Sequence, residues 1–165
     1  MLRRGQRVVD LGCWPGGWLQ VAAAAVGPEG RVVGVDVAET EPLGLANVIA
    51  FRGDLGDPGL TDRILEALGG SAHVVLSDAA PKLTGVRATD RAREEALLEA
   101  IEALLPALLA PGGAVVLKLL ESPEAQAIAT RLGRRFASAR TVRLAATRKG
   151  SAEKYLVARG WRPPS

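Results

Sequence analysis

The chain has 165 residues, 48% of them hydrophobic and 24% charged, enough for one domain that buries roughly 70% of its unfolded surface. One cysteine excludes an internal disulfide and fits a reducing cytoplasm, no apolar run reaches the ~18 residues of a membrane span, and no signal-peptide pattern opens the chain. A formal charge of +3 leans mildly toward a polyanionic partner.

Arg7–Leu11 is a short β-branched run closed by Gly12, so it reads as the first strand. An Ala-rich helix over Trp18–Val26 follows and stops at Gly27-Pro28. Arg31–Asp36 and Asn47–Arg52 read as the second and third strands, and Pro58–Leu68 as a helix ending at Gly69-Gly70. His73–Asp78 is a fourth strand. Asp90–Leu109 is a long helix with Leu97, Leu98, Ile101, Leu104, Leu105 and Leu108 on one side. After Pro111-Gly-Gly comes a strand containing Lys118, then a helix over Pro123–Phe136 with proline in its first turn. Ala139–Ala145 and Tyr155–Ala158 are strand-like, with a polar loop between them.

Nearly continuous apolar strands alternating with helices predict a Rossmann-like, doubly wound α/β domain over residues 1–165. Its seven-stranded sheet should be mostly parallel. The last two strands have no helix between them and should close it as an antiparallel hairpin. Ligands of such sheets sit at the carboxyl ends of the strands, a rule that gathers Asp10, Asp36, Asp54, Asp78 and Lys118 on one rim.

Lys118 stands out there. It interrupts the apolar run Val115-Val-Leu-Lys-Leu-Leu in a chain that holds 17 Arg and only 4 Lys. Unpaired burial of its charge costs several kcal/mol, and lysine, unlike arginine, can be made to give up its proton. The loop Asp10-Leu-Gly-Cys-Trp-Pro-Gly-Gly-Trp18 is glycine-rich between a strand and a helix, so Gly12, Pro15, Gly16, Gly17 and Trp18 join Asp10 as candidate ligand-binding residues. It lacks the G-x-G-x-x-G pattern, which disfavours a dinucleotide and a nicotinamide oxidoreductase. Asp36 is placed for two ribose hydroxyls and Asp54 for an adenine amino group, which suggests a nucleoside cofactor without phosphates.

Asp-Leu-Gly-x-x-Pro-Gly-Gly-Trp, the Gly-Asp54 after strand three, Ser77-Asp78-Ala-Ala-Pro81 and the strand-five Lys118 together resemble the FtsJ/RrmJ-type ribose methyltransferases. The resemblance runs from about Gly5 to Gly160. It implies the class I methyltransferase fold, S-adenosyl-L-methionine as cofactor, and transfer of a methyl group to a ribose 2′-hydroxyl of RNA, in particular large-subunit ribosomal RNA. It also implies that Gly16, Trp18, Asp36, Asp54 and Asp78 line the cofactor site. Of the family's catalytic Lys, Asp, Lys and Glu, the last three match Asp78, Lys118 and Glu153. The first lies on a helix upstream of strand one, which this chain, starting a few residues before that strand, is expected to lack; Arg3 or Arg4 could stand in for it only in part.

The fourth-strand motif agrees with an oxygen acceptor. No cysteine nucleophile follows Asp78, as cytosine-C5 transfer would need, and Ala79-Ala80-Pro81-Lys82 is not the clamp typical of exocyclic-amine enzymes. An oxygen acceptor needs only alignment and help in losing a proton, a task suited to Lys118 with Asp78 and Glu153 orienting it. Lys82, Arg87, Arg91 and Arg93, Arg148 and Lys149, and Arg3, Arg4 and Arg7 are candidate phosphate contacts. Arg131, Arg134 and Arg135 read equally well as a solvated helix face. Cys13, His73, Tyr155 and Trp161 read as packing or capping residues. Trp14, where this family usually has a small residue, could cover the cofactor or pack beneath its loop. The expected protein is a cytoplasmic monomer without metal. The alternatives are a small-molecule O-methyltransferase and a non-catalytic ribosome-assembly module.

Overall fold

The computed structural model describes residues 1–145 and 152–165. Seven strands and four helices follow one another as β1 (Arg7–Leu11), α1 (Gly17–Val26), β2 (Arg31–Asp36), β3 (Val48–Arg52), α2 (Leu60–Leu68), β4 (Ala72–Ser77), α3 (Arg87–Leu108), β5 (Leu109–Leu119), α4 (Pro123–Gly133), β6 (Phe136–Ala145) and β7 (Ala152–Trp161). They form one sheet in the order β3-β2-β1-β4-β5-β7-β6. Neighbours from β3 to β5 are parallel, and β7 runs antiparallel to both β5 and β6. The mostly parallel sheet with its antiparallel C-terminal hairpin is the expected one.

Strand alternation splits the core in two. Val9, Leu11, Val33, Val35, Val75, Val115, Leu117 and Leu119 pack against α2, α3 and α4, through residues such as Ile64, Leu98, Ile101, Leu105 and Ile128. Val8, Val32, Val74 and Leu76 form the smaller cluster on the opposite face with Leu19, Ala22 and Val26 of α1. Lys118 lies between Leu117 and Leu119, so strand alternation turns it to the α1 side, away from the larger core.

Several boundaries differ from expectation. α3 begins at Arg87, three residues early, because the Asp90 carboxylate accepts from Thr84 N, Thr84 Oγ1 and Gly85 N and so organises the turn into the helix. β5 takes in Pro111-Gly-Gly, at the cost of a register shift against β4 between Ala72 and Val74. α4 stops at Gly133, which frees Phe136 to begin β6, and β7 extends to Trp161. Glu94 was not among the expected inward residues of α3, yet it is buried, its carboxylate accepting from Leu120 N and from Ser122 Oγ. Among the described residues no helix is long and apolar enough to cross a membrane, and none of the His, Cys, Asp and Glu side chains group as a metal site.

Candidate active site

The strand ends build a cavity of about 720 Å³. Gly12 and Trp14 from the loop after β1, Asp36 and Val37 from the end of β2, Asp54 and Leu55 beyond β3, and Asp78 after β4 line it, with Lys82 and Arg93 at one side. The rim expected from the sequence is present, and its residues differ in what they do there.

Asp36 is fixed by backbone: Oδ2 accepts from Trp14 N and Oδ1 from Ala38 N, each at 2.9 Å. Asp54 Oδ1 accepts from Gly56 N, and Asp57 Oδ2 accepts from Asp54 N, so that turn ties itself together. Each carboxylate keeps lone pairs for a ligand. Gly12 lets the loop after β1 approach the segment after β4. It has a φ of +81°, and a Cβ there would lie 2.6 Å from Ala79 Cβ, so only glycine lets the two loops meet. Gly16 caps α1 at a φ of 120°. Gly17 has open space around its Cα, and neither it nor Gly16, Trp18 or exposed Pro15 lines the cavity.

Asp10 is fully buried in β1 and does not line the cavity. Among the described residues neither of its oxygens has a hydrogen-bond partner. Burial, and then the negative charges of Asp78 and Asp36, push its carboxyl up to about 7. Carboxylates thus crowd this end of the sheet. That surplus suits a cation and opposes a phosphate-bearing ligand. S-adenosylmethionine, with its sulfonium and ammonium charges, fits this chemistry: Asp36 and Asp54 would hold the nucleoside, and the acidic interior would favour the cationic end.

On the α1 face beside the cavity, β4, β5 and β7 each contribute to a second cluster. Lys118 Nζ lies 3.6 Å from Asp78 Oδ1 and 3.7 Å from Glu153 Oε1. These are ion-pair distances, slightly beyond direct hydrogen-bond reach. The expected trio is therefore assembled. A fourth residue, Tyr155, which the sequence presents as packing, joins them: its OH lies 3.1 Å from Asp78 Oδ1 and 2.9 Å from Glu153 Oε2. A phenol has one proton, so it donates to one carboxylate at a time. Burial first, then the bond to Glu153 and the Asp78 charge, hold that proton well above the usual tyrosine range. The signal was present, because Tyr155 is two residues from Glu153 and so shares its face of the strand. The β5–β7 register pairs Lys118 with Tyr155 directly. The Tyr155 ring also packs against Trp18, with centroids 5.9 Å apart, which joins the cluster to α1.

The remaining candidates separate. Cys13 is buried against Gly34, and burial pushes its thiol up to about 11, in keeping with a packing role. His73 Nδ1 accepts from Arg7 N, and Trp161 packs at a tilt against Phe136, under Arg135. The N-terminal arginines do not reach the rim. Arg4 lies against Gly27 beyond the end of α1, and Arg7 Nε donates to Ser71 O at the amino end of β4. That corrects the idea that Arg3 or Arg4 replaces a catalytic lysine, since Gly5 N is bonded to Val26 O and holds this segment at the opposite end of the sheet. Arg93 Nη1 donates to Lys82 O, and Arg131 pairs with Glu102. Arg148 and Lys149 lie outside the described residues.

A seven-stranded sheet with this strand order, a cavity at its switch point that carries three aspartates on a largely apolar lining, and a Lys-Asp-Glu cluster beside it are the parts of a methyltransferase-type protein. The FtsJ-like methyltransferase family model matches residues 1–161, and the chain belongs to that family. It is 40% identical over 162 residues to ribosomal RNA large subunit methyltransferase E of Methanothermobacter thermautotrophicus, covering 98% of this chain and 77% of the relative. The protein of the same name from Acidiphilium cryptum is 44% identical over 163 residues, covering 99% and 71%. In fold, the chain is similar to a candidate ribosomal RNA methyltransferase of Plasmodium falciparum, with a TM-score of 0.82 at 23% identity, covering 99% of this chain and 91% of that one.

Proposed function

We propose that the protein transfers a methyl group from S-adenosylmethionine to a ribose 2′-hydroxyl of large-subunit ribosomal RNA, acting as a monomer in the cytoplasm. The observation that carries this reading is Lys118, held between Asp78 and Glu153 beside the cavity. The cofactor supplies a sulfonium methyl for direct transfer. Asp36 and Asp54 hold its ribose and adenine ends, while Gly12, Gly16 and Trp18 shape the loop around it. Lys118 is the group placed to accept the hydroxyl proton as the oxygen becomes nucleophilic. Asp78 and Glu153 orient Lys118 and the acceptor, and the Tyr155 hydroxyl fixes the spacing between those carboxylates. Catalysis is thus mainly alignment plus one proton acceptor, with no covalent intermediate on the protein. Lys82, Arg87 and Arg91, on the loop and helix start beyond Asp78, contact RNA phosphates.

The test is to incubate the protein with methyl-labelled S-adenosylmethionine and large ribosomal subunits from cells lacking this modification. Label recovered in an alkali-resistant dinucleotide of the large-subunit RNA is the expected result. Absence of label from RNA despite cofactor binding would overturn the reading in favour of a non-catalytic module.

A further inference from the structure

Trp14 is 59% exposed, an unusual place for an indole in a chain with three tryptophans. It does not pack beneath its loop. It lines the cavity, and so does Val37, itself 63% exposed. The two are connected through Asp36, whose Oδ2 accepts from Trp14 N and which directly precedes Val37. Bare apolar surface therefore adjoins the carboxylate best placed for a ribose diol. A nucleoside presents the matching pattern, with hydroxyls on one edge and apolar sugar and ring faces beside them. An indole also contributes to nucleoside binding in a way the acids cannot. Stacking on a base is insensitive to salt, whereas carboxylate contacts to a cationic ligand are screened.

We propose that Trp14 closes over the nucleoside of the bound cofactor and is a specificity-determining part of that site. This rests on the S-adenosylmethionine reading above. The side chain serves as a lid on the adenosine; the methionine end is bound by other groups. Its high exposure without ligand means that substitution does not threaten folding.

S-adenosylhomocysteine, which carries the nucleoside without the sulfonium charge, is the probe. Calorimetric titration of wild type, Trp14→Phe and Trp14→Ala should give affinities within about threefold for Phe and at least about tenfold weaker for Ala. Free adenosine should show the same ranking. Wild-type tryptophan emission should shift on titration, and Trp14→Phe should lose most of that shift. Binding of a fluorescein-labelled single-stranded RNA 20-mer should be the same in all three. Equal affinity of wild type and Trp14→Ala for S-adenosylhomocysteine would overturn the proposal and leave the cofactor reading intact. Loss of RNA affinity with cofactor affinity retained would also overturn it, assigning the indole to a substrate base. If wild type binds no S-adenosylhomocysteine, the proposal and the reading beneath it both fall.

Discussion

The two halves of the rim are built differently. The half that faces the cavity is held by backbone: Asp36 is fixed by two main-chain N–H groups, and Asp54 by a turn of its own. The other half is side chain on side chain, Lys118, Asp78, Glu153 and Tyr155 meeting from three strands with no main-chain partner among the contacts that join them. A backbone-built site keeps its shape when one side chain changes, whereas a cluster of charges at 3.6 and 3.7 Å depends on every member. The first half is thus suited to binding and the second to a reaction step, and substitutions should separate them.

The widest separation should come from Lys118→Ala. If Lys118 accepts the acceptor's proton, turnover should fall by about 10³ to 10⁴, worth about 4 to 5.5 kcal/mol. Affinity for S-adenosylhomocysteine should stay within a few-fold, because Lys118 does not line the cavity. Single-turnover methylation of undermodified subunits read beside calorimetry measures both. Turnover within tenfold of wild type would remove Lys118 from the chemistry.

Asp10 tests whether the crowding of carboxylates has a thermodynamic cost. Its carboxyl rises from 3.8 to about 7 on folding, so the folded state holds a proton that the unfolded state has released. Stability must then fall as pH climbs from about 4 through 7, the reverse of a salt-bridged acid. The full effect is about 4 kcal/mol for a shift of this size. Asp10→Asn should abolish it: in chemical denaturation without ligand, the variant should gain on wild type between pH 5 and pH 8. A gap that does not change with pH would mean that Asp10 has a partner or a lower folded pKa.

Gly12→Ala attacks the joint between the halves. Strain at a φ of +81° and a Cβ 2.6 Å from Ala79 should together cost about 3 kcal/mol. Since Gly12 lines the cavity and Ala79 follows Asp78, cofactor affinity and turnover should fall together. Gly17→Ala, with open space around it, serves as the control and should change neither appreciably. An unaffected Gly12→Ala would show that the loops can part without consequence.

The same division explains what the sequence disclosed. The fold was legible because periodicity is local: apolar strands, the first four closed by glycine or an acid, are separated by helices except between β2 and β3 and between β6 and β7. The cavity half was nearly as legible, since Asp36 and Asp54 sit at strand ends that the sequence marks. Lys118 and Asp78 were found through the family resemblance and the oddity of a lysine in an apolar run. Tyr155 reads as a packing residue, and its ring does pack on Trp18; the further role of its hydroxyl is harder to read because its partner Asp78 is 77 residues away and the β5–β7 register is what sets it opposite Lys118. Glu94 was hidden for a similar reason. In a helix pattern it reads as a solvated charge, and the Leu120 amide that draws it inward belongs to another element. The N-terminal arginines were misplaced because sequence proximity to β1 does not say which end of the strand they stay at.

The finest test distinguishes the hydroxyl of Tyr155 from its ring. Tyr155→Phe removes only the bridge between Asp78 and Glu153 and keeps the packing on Trp18. Without that proton, Lys118 is the remaining group among the described residues that holds the two carboxylates in register. Turnover should fall about tenfold, the loss of one charge-assisted hydrogen bond, while cofactor affinity stays unchanged. Tyr155→Ala removes the ring as well and leaves a gap beside Trp18 at the start of α1, so cofactor affinity should now fall too, by a few-fold. Side by side, the two variants measure how far the cavity half depends on the cluster half. If Tyr155→Phe alone weakened cofactor binding, the halves would be coupled through the carboxylates. If Tyr155→Ala left cofactor binding untouched, the contact between Trp18 and Tyr155 would not transmit between them, and Gly12 would be the joint that matters.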